Sequence, residues 1–280
     1  SASVVIRKVT FDAKGNPVLT NETLVEGTDY EIVQSATDNR TTFRFLHAID
    51  YAVNIKYDSK VTGIIDQDIP GVTNTATTGG VTPPSHGSVT IQQQGLIKRV
   101  SNVNYDTKTI TWTIDINLNR YRMLNFTITD ALQLQANQSL IAGTQTVVDL
   151  TDGTILQLVT DPAQDGYMIT NVATNLGFNG QLAGKYRDTD HSFRITYETV
   201  YDVIHSGEGN NTVRNTASSS WFDVDGDNHS SDSTATFTPN QPDQDNGKKS
   251  GTYNAVTKEI TWIIELNYST AGMQNAYMED

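Results

Sequence analysis

The stretch Thr109-Ile110-Thr111-Trp112-Thr113-Ile114-Asp115-Ile116-Asn117 decides the fold class. In an extended chain Ile110, Trp112, Ile114 and Ile116 project to one side and Thr109, Thr111, Thr113 and Asp115 to the other, the period-two signature of a strand with one buried face. Short alternating runs at residues 4–9, 42–46, 53–57, 125–129, 144–150, 192–197 and 234–237 predict further strands. Lys14-Gly15-Asn16-Pro17, Asp152-Gly153, Asn179-Gly180 and Asp225-Gly226 read as turns between them. Apolar residues at helical spacing are scarce. Many short strands with frequent turns predict an all-β chain built as a β-sandwich.

The tryptophan strand occurs twice. Residues 98–130 align without a gap onto 248–280, at a constant offset of 150 and with twelve identities in thirty-three positions. The matches include Lys98/Lys248, Ile110-Thr111-Trp112/Ile260-Thr261-Trp262, Ile114/Ile264, Asn117/Asn267, Met123/Met273, Asn125/Asn275 and Asp130/Asp280. A second, looser match joins Ile55-Lys56-Tyr57 to Ile195-Thr196-Tyr197 and Asn74-Thr75-Ala76 to Asn215-Thr216-Ala217. The chain therefore reads as one complete repeat, residues 96–240, between two partial ones: residues 1–94 hold later strands of a repeat and 248–280 its opening strands. Residues 79–87 read as a loop and 239–247 as an interdomain joint. A sandwich lacking strands exposes core and unpaired edges. The expectation is complementation, in which 248–280 supplies the strands that 1–94 lacks, most simply in a neighbouring molecule, head to tail; the alternative is two frayed partial repeats that do not pair.

Composition removes several function classes. The chain has 280 residues, 32 Asp+Glu against 19 Lys+Arg, a net charge of −13, mean hydropathy of −0.41 and no cysteine. An acidic excess of this size argues against nucleic-acid binding. No run reaches the roughly 18 apolar residues of a membrane helix, and no signal-peptide pattern opens the chain, so such a segment is absent or removed. Without cysteine there is no disulfide, thiolate metal site or thiol nucleophile.

Lys98, the run Tyr105–Asn117, Leu124-Asn125-Phe126-Thr127-Ile128-Thr129-Asp130 and the late Val213-Arg214-Asn215-Thr216-Ala217 together resemble the adhesive-region domain of Gram-positive, cell-wall-anchored collagen-binding adhesins and related stalk proteins. The resemblance covers nearly the whole chain, although the last copy ends in Glu279-Asp280 rather than Thr-Asp. It implies tandem immunoglobulin-like sandwiches on an extracellular, cell-wall-anchored surface protein, one whole and one split between the chain ends. It also implies an isopeptide bond between a lysine on the first strand and an asparagine on the last, promoted by an acidic residue.

The matching residues are Lys98, Asn215 and the acid Asp130; across the split repeat they are Lys248, Asn74 and the acid Asp280. Lys249 adjoins Lys248 and leaves the second register open. Singly these residues are commonplace, since a strand lysine is usually solvated and Asn-Thr is frequent. The chemistry is nevertheless coherent. Burial favours the neutral amine, which is nucleophilic, and the neutral carboxylic acid, which polarises a carboxamide; enclosure supplies the effective molarity.

Asp223, Asp225 and Asp227 alternate as in a calcium loop but lack its glycine position and final Glu, so they read first as an acidic hairpin. His47, His86, His191, His205 and His229 show no metal-ligand spacing. No cofactor motif is present, and no external substrate is turned over: the chain is not read as an enzyme beyond one autocatalytic crosslink. The function expected is a structural or adhesive repeat of a surface protein; the alternative is an adhesin head that binds collagen or another host matrix polymer.

Overall fold

The computed structural model describes residues 4–38, 40–78, 84–132, 138–172, 176–201, 212–240, 247–268, 270 and 273–279. The chain divides into two compact units, residues 1–63 and 64–280.

The first unit contains β1 (Val5–Phe11), β2 (Pro17–Thr23), β3 (Tyr30–Gln34), β4 (Thr41–Phe45) and β5 (Ala52–Lys56). β2, β1 and β5 form an antiparallel sheet in that order, and β3 pairs with β4. The first turn forms as read: Asp12 Oδ1 accepts the amides of Lys14 and Asn16, and Gly15 takes a left-handed φ of +79°. Ile6 and Tyr30 are its buried apolar side chains among those described.

In the second unit β6 (Ile69–Ala76) and β7 (Ser85–Ile91) form a hairpin; the loop expected at 79–87 thus ends earlier, because Ser85, His86 and Gly87 pair with Ala76, Thr75 and Asn74. Residues 79–83 lie outside those described. Next come β8 (Leu96–Asn104), β9 (Thr109–Ile116), β10 (Met123–Leu132), β11 (Ser139–Leu140), β12 (Thr146–Asp149), β13 (Gly166–Asn171), β14 (Gly177–Ala183), β15 (Asp188–Thr189), β16 (Phe193–Val200), β17 (Val213–Phe222) and β18 (Asn228–Phe237). One sheet runs β11-β16-β9-β8 with β12 also on β16; the other runs β13-β14-β10-β17-β18 with β15 also on β10. Their inner faces share one core, in which Ile110, Trp112, Ile114 and Ile116 pack with Phe126, Ile128, Phe178, Leu182, Val213, Ala217 and Trp221. The described residues are almost entirely β, with one short 3-10 turn at Gly184–Arg187, and β8 to β18 form an immunoglobulin-like sandwich of two sheets.

Two readings need correction. Asn179-Gly180 is no turn but the middle of β14, paired with Thr129 and Ile128 of β10. The glycine is there for packing, since a Cβ on Gly180 would come within 2.9 Å of Ile128 Cγ2. Asn215 stands on β17, and β18 follows it, so the expected crosslinking position is on the penultimate strand of the sandwich and not the last.

The polar face of β9 also departs from simple exposure. Asp115 is buried on it, with Arg194 Nε on Oδ1 at 2.6 Å and Arg99 Nη1 on Oδ2 at 2.6 Å. A buried carboxylate needs such partners.

The repeat reappears as backbone geometry in β19 (Gly247–Asn254) and β20 (Glu259–Leu266), a separate antiparallel hairpin. Every non-glycine residue with positive φ among those described belongs to a pair 150 apart: Lys108/Lys258, Asn117/Asn267, Arg120/Thr270 and Asn125/Asn275. Asn104 Oδ1 caps the amides of Asp106 and Thr107, and Asn254 Oδ1 those of Val256 and Thr257. Burial differs: Trp112 is 0% exposed and Trp262 56%.

Trp112→Ala is therefore expected to destabilise the sandwich by about 3–5 kcal/mol, whereas Trp262→Ala in dilute solution should leave its denaturant midpoint unchanged; equal losses would contradict the assignment of burial.

Candidate functional site

Four strands converge on one polar cluster inside the sandwich. Lys98 comes from β8, where alternation turns Leu96 and Lys98 inward and Ile97 and Arg99 away. Its aliphatic stem lies in the core opposite Ile114 of β9, and its Nζ stands 5.5 Å from the Trp112 ring centre and 5.0 Å from that of Tyr197. Asp130 is on β10, directly across from Ala217 of β17, and Asn215 is two residues along the same face of β17. Tyr197 reaches in from β16.

The hydrogen bonds form one network. Lys98 Nζ contacts both Asp130 Oδ2 and the Tyr197 hydroxyl. Tyr197 donates its O–H to Asp130 Oδ2 at 2.7 Å, and Asn215 Nδ2 donates to the Tyr197 oxygen at 2.8 Å. Asp130 Oδ1 and Asn215 Oδ1 are buried acceptors with no donor. A proton on Asp130 would turn one of these two acceptors into a donor.

Electrostatics favour that proton. Burial is the largest influence on each group. It lowers the Lys98 amine to about 8 against the opposing pull of Asp130, raises the Asp130 carboxyl despite the nearby amine, and raises the Tyr197 hydroxyl well above its ordinary value. The pair is thereby biased toward neutral amine and neutral acid, which is a nucleophile beside a polarised carboxamide.

Lys98, Asp130 and Asn215, nominated from the sequence, thus meet. Tyr197 was not nominated; the one signal for it was its repeat partner, since Ile55-Lys56-Tyr57 matches Ile195-Thr196-Tyr197.

The second trio is not assembled in the described chain. Asn74 lies exposed on β6 and Lys248 on β19, in separate two-stranded sheets, and Asp280 lies outside the described residues. Lys248 pairs with Glu265 at 2.8 Å. The register slips here. A bulge between Val100 and Asn102 puts Lys98 opposite Ile114, whereas β19 has none, so Lys249 stands opposite Ile264 with Nζ 5.0 Å from the Trp262 ring centre.

The acidic hairpin closes between β17 and β18. Asp223 Oδ1 accepts the amides of Asp225 and Asp227, and its Oδ2 lies 3.1 Å from His229 Nε2. Gly226 takes φ +88°. Elsewhere Asp149, Asp152 and His191 group closely, and Asp149 Oδ2 lies 2.5 Å from His191 Nδ1. His191 therefore has acidic company that its position in the sequence did not reveal.

On the outer face of the β13-β14-β10 sheet, Thr127, Thr129, Met168, Thr170, Asn179 and Gln181 line an open groove of about 300 Å³. Thr129 Oγ1 donates to Asn179 Oδ1 at 3.1 Å across it. No helix among the described residues is long and apolar enough to cross a membrane.

Comparison with known proteins gives a match to a family described as the collagen binding domain over residues 93–230. No curated protein sequence matches. Among solved structures, the collagen-binding subdomain of the Enterococcus faecalis surface protein ACE is 16% identical with a TM-score of 0.41, over 51% of this chain and 94% of that one. The collagen-binding domain of a Staphylococcus aureus adhesin is 18% identical with a TM-score of 0.40, over 52% of this chain and 100% of the other. The Bacillus cereus major pilin subunit BcpA is 12% identical with a TM-score of 0.40, over 92% and 69% respectively.

Removing one member of the buried pair strands the other, as an unpaired charge or as an unsatisfied polar group. In an Asn215→Ala background, where no Lys98 amide can form, Asp130→Ala should cost about 3–5 kcal/mol, and Lys98→Met/Asp130→Leu should cost less than Asp130→Ala alone; denaturant unfolding of the three variants measures the difference.

Proposed function

Since residues 93–230 belong to the collagen binding domain family, we propose that the chain is an adhesive and structural module of a Gram-positive surface protein, exposed outside the cell and locked by a Lys98–Asn215 amide. The observation that carries the crosslink is the enclosed network of Lys98, Asp130, Tyr197 and Asn215. Neutral Lys98 Nζ attacks Asn215 Cγ, and the carbonyl electron pair moves to Oδ1, which takes the Asp130 proton. The new ammonium gives a proton back to Asp130. The Cγ–Nδ2 bond then breaks, a proton is supplied to the departing nitrogen, the carbonyl re-forms and ammonia leaves. Asp130 ends as it began, so the reaction runs once per chain and has no external substrate.

Head-to-tail assembly belongs to the same reading. The face of β20 that carries Ile260 and Trp262 is exposed, while the matching face of β9 is covered by the second sheet. In this chain the cover is residues 1–94 of another copy, with Asn74, Lys248 or Lys249, and Asp280 as the second crosslinking set. Anchoring to the cell wall is part of the same reading.

The groove on the outer sheet favours a second role, collagen binding. A collagen chain is extended, with no internal hydrogen bonds, and presents backbone carbonyls along its length. Threonine hydroxyls and the Asn179 and Gln181 amides offer matching groups, and the open geometry admits a rod.

Intact mass tests the crosslink: the wild type should weigh about 17 Da less than its sequence, Lys98→Ala and Asn215→Ala should show full mass, and full mass in the folded wild type would refute it. A denaturing gel of concentrated protein should also show a ladder that Trp262→Asp removes; its absence refutes the covalent head-to-tail step alone. For the second role, Thr129→Arg/Gln181→Arg is expected to abolish saturable binding to immobilised collagen while keeping the mass loss, and a wild type that binds no collagen would exclude it.

A further inference from the structure

The proposed crosslink leaves one step without an owner. Nδ2 of Asn215 cannot depart as an amide anion; it leaves as ammonia only after a third proton reaches it. The Tyr197 hydroxyl is in contact with that nitrogen, 2.8 Å away, and is itself bonded to Asp130 Oδ2 at 2.7 Å.

The direction of the first contact changes during the reaction. A planar carboxamide nitrogen has its lone pair delocalised and can only donate, as Asn215 Nδ2 does to the tyrosine oxygen. Once Lys98 has added to Cγ, the carbon is tetrahedral, the delocalisation is lost and Nδ2 becomes an amine with a basic lone pair. The same short contact can then carry a proton from oxygen to nitrogen.

We propose that Tyr197 is a catalytic residue of this crosslinking, relaying a proton from Asp130 to the departing nitrogen of Asn215. The proposal rests on the Lys98–Asn215 reading above. Lys98 Nζ, positively charged after attack, returns its proton to Asp130 Oδ2, which it touches. That proton passes to the Tyr197 oxygen as the tyrosine O–H proton passes to Nδ2. The Cγ–Nδ2 electron pair stays with nitrogen, the adduct's hydroxyl proton returns to Asp130 Oδ1, and the carbonyl re-forms. Lys98 amine and Asn215 carboxamide become one secondary amide and one ammonia; Asp130 and Tyr197 are unchanged.

The surroundings suit a relay with no separated charge. Burial and the Asp130 carboxyl hold the Tyr197 hydroxyl in its protonated form, so both of its protons move together and no phenolate accumulates. The ring is fixed edge-on against Phe178, with centroids 5.1 Å apart. A phenylalanine would keep that packing and the ring 5.0 Å from Lys98 Nζ, while removing the hydroxyl and its contacts with Lys98, Asp130 and Asn215.

The test follows intact mass after refolding chains recovered unfolded, which begin without the crosslink. Wild type should lose about 17 Da, and Tyr197→Phe should do so slower by a factor on the order of a hundred, with near-UV circular dichroism matching that of Lys98→Ala. Loss at the wild-type rate in Tyr197→Phe would overturn the relay while leaving the crosslink intact; no loss in wild type would overturn both. Should Tyr197→Phe lack a native near-UV spectrum, 3-fluorotyrosine placed at position 197 keeps the hydroxyl but acidifies it. A changed rate with a native spectrum then supports the relay, and an unchanged rate overturns it.

Discussion

A lysine and an aspartate enclosed between two sheets constrain everything packed around them. Each would be expensive to bury alone, and even as a pair they gain little over apolar residues of the same volume. The sandwich therefore surrounds them with groups that are themselves polar and buried, the Tyr197 hydroxyl and the Asn215 carboxamide, and still leaves Asp130 Oδ1 and Asn215 Oδ1 without donors. Judged by stability alone, this is a poor use of a core. It makes sense as reacting material: the proposed conversion of Lys98 and Asn215 to a neutral amide would remove the buried amine and let Asp130 rest as a neutral acid hydrogen-bonded to an amide.

The same constraint explains the separation between local and global structure in the repeat. Asx turns and left-handed residues are set by a few neighbouring amides, so Asn104 and Asn254, Asn117 and Asn267, adopt one geometry in both copies. Burial of the lysine and tryptophan requires a second sheet. β8 and β9 have it; β19 and β20 do not, and the apolar face of β20 stands open. The bulge of β8 belongs with the packed state too, because it sets which residue stands opposite the isoleucine two places after the tryptophan, Lys98 opposite Ile114 in one copy and Lys249 opposite Ile264 in the other.

Legibility followed this division. β9 could be read from its alternation, and Lys98, Asp130 and Asn215 from repeat spacing together with family resemblance, because each lies on a segment whose pattern is local. β17 was harder. Its inward positions Asn215, Ala217 and Ser219 are small or polar, so a central strand looks like a loop in sequence. Gly180 misled for the opposite reason: it reads as a turn residue, but its missing side chain makes room for Ile128. Tyr197 joins the site from the sheet facing Asp130 and Asn215, a contact that no spacing along the chain encodes. The pairing of Asp66 with His229 is equally non-local, at 3.2 Å across 163 positions.

The absence of cysteine acquires a physical meaning through the proposed amide. Lys98 and Asn215 are 117 positions apart, and closing a loop of that size would restrict the unfolded chain by about 5 kcal/mol on the entropic account used for disulfides. A disulfide could supply the same restriction, but it needs only two thiols and an oxidant, and a reductant reopens it. An amide cannot be reversed that way, and it forms only where burial has already adjusted an amine and an acid. Crosslinking is thereby conditional on correct packing: until β8, β10, β16 and β17 have met, Lys98 is a solvated ammonium and Asn215 an ordinary carboxamide. The placement of Asn215 on β17 rather than on β18 has a consequence for load. Tension entering through β8 would pass by the proposed covalent bond into β17 of the opposite sheet, while β18, joined to β17 by their hairpin and its ladder of hydrogen bonds, would lie beyond the crosslinked segment.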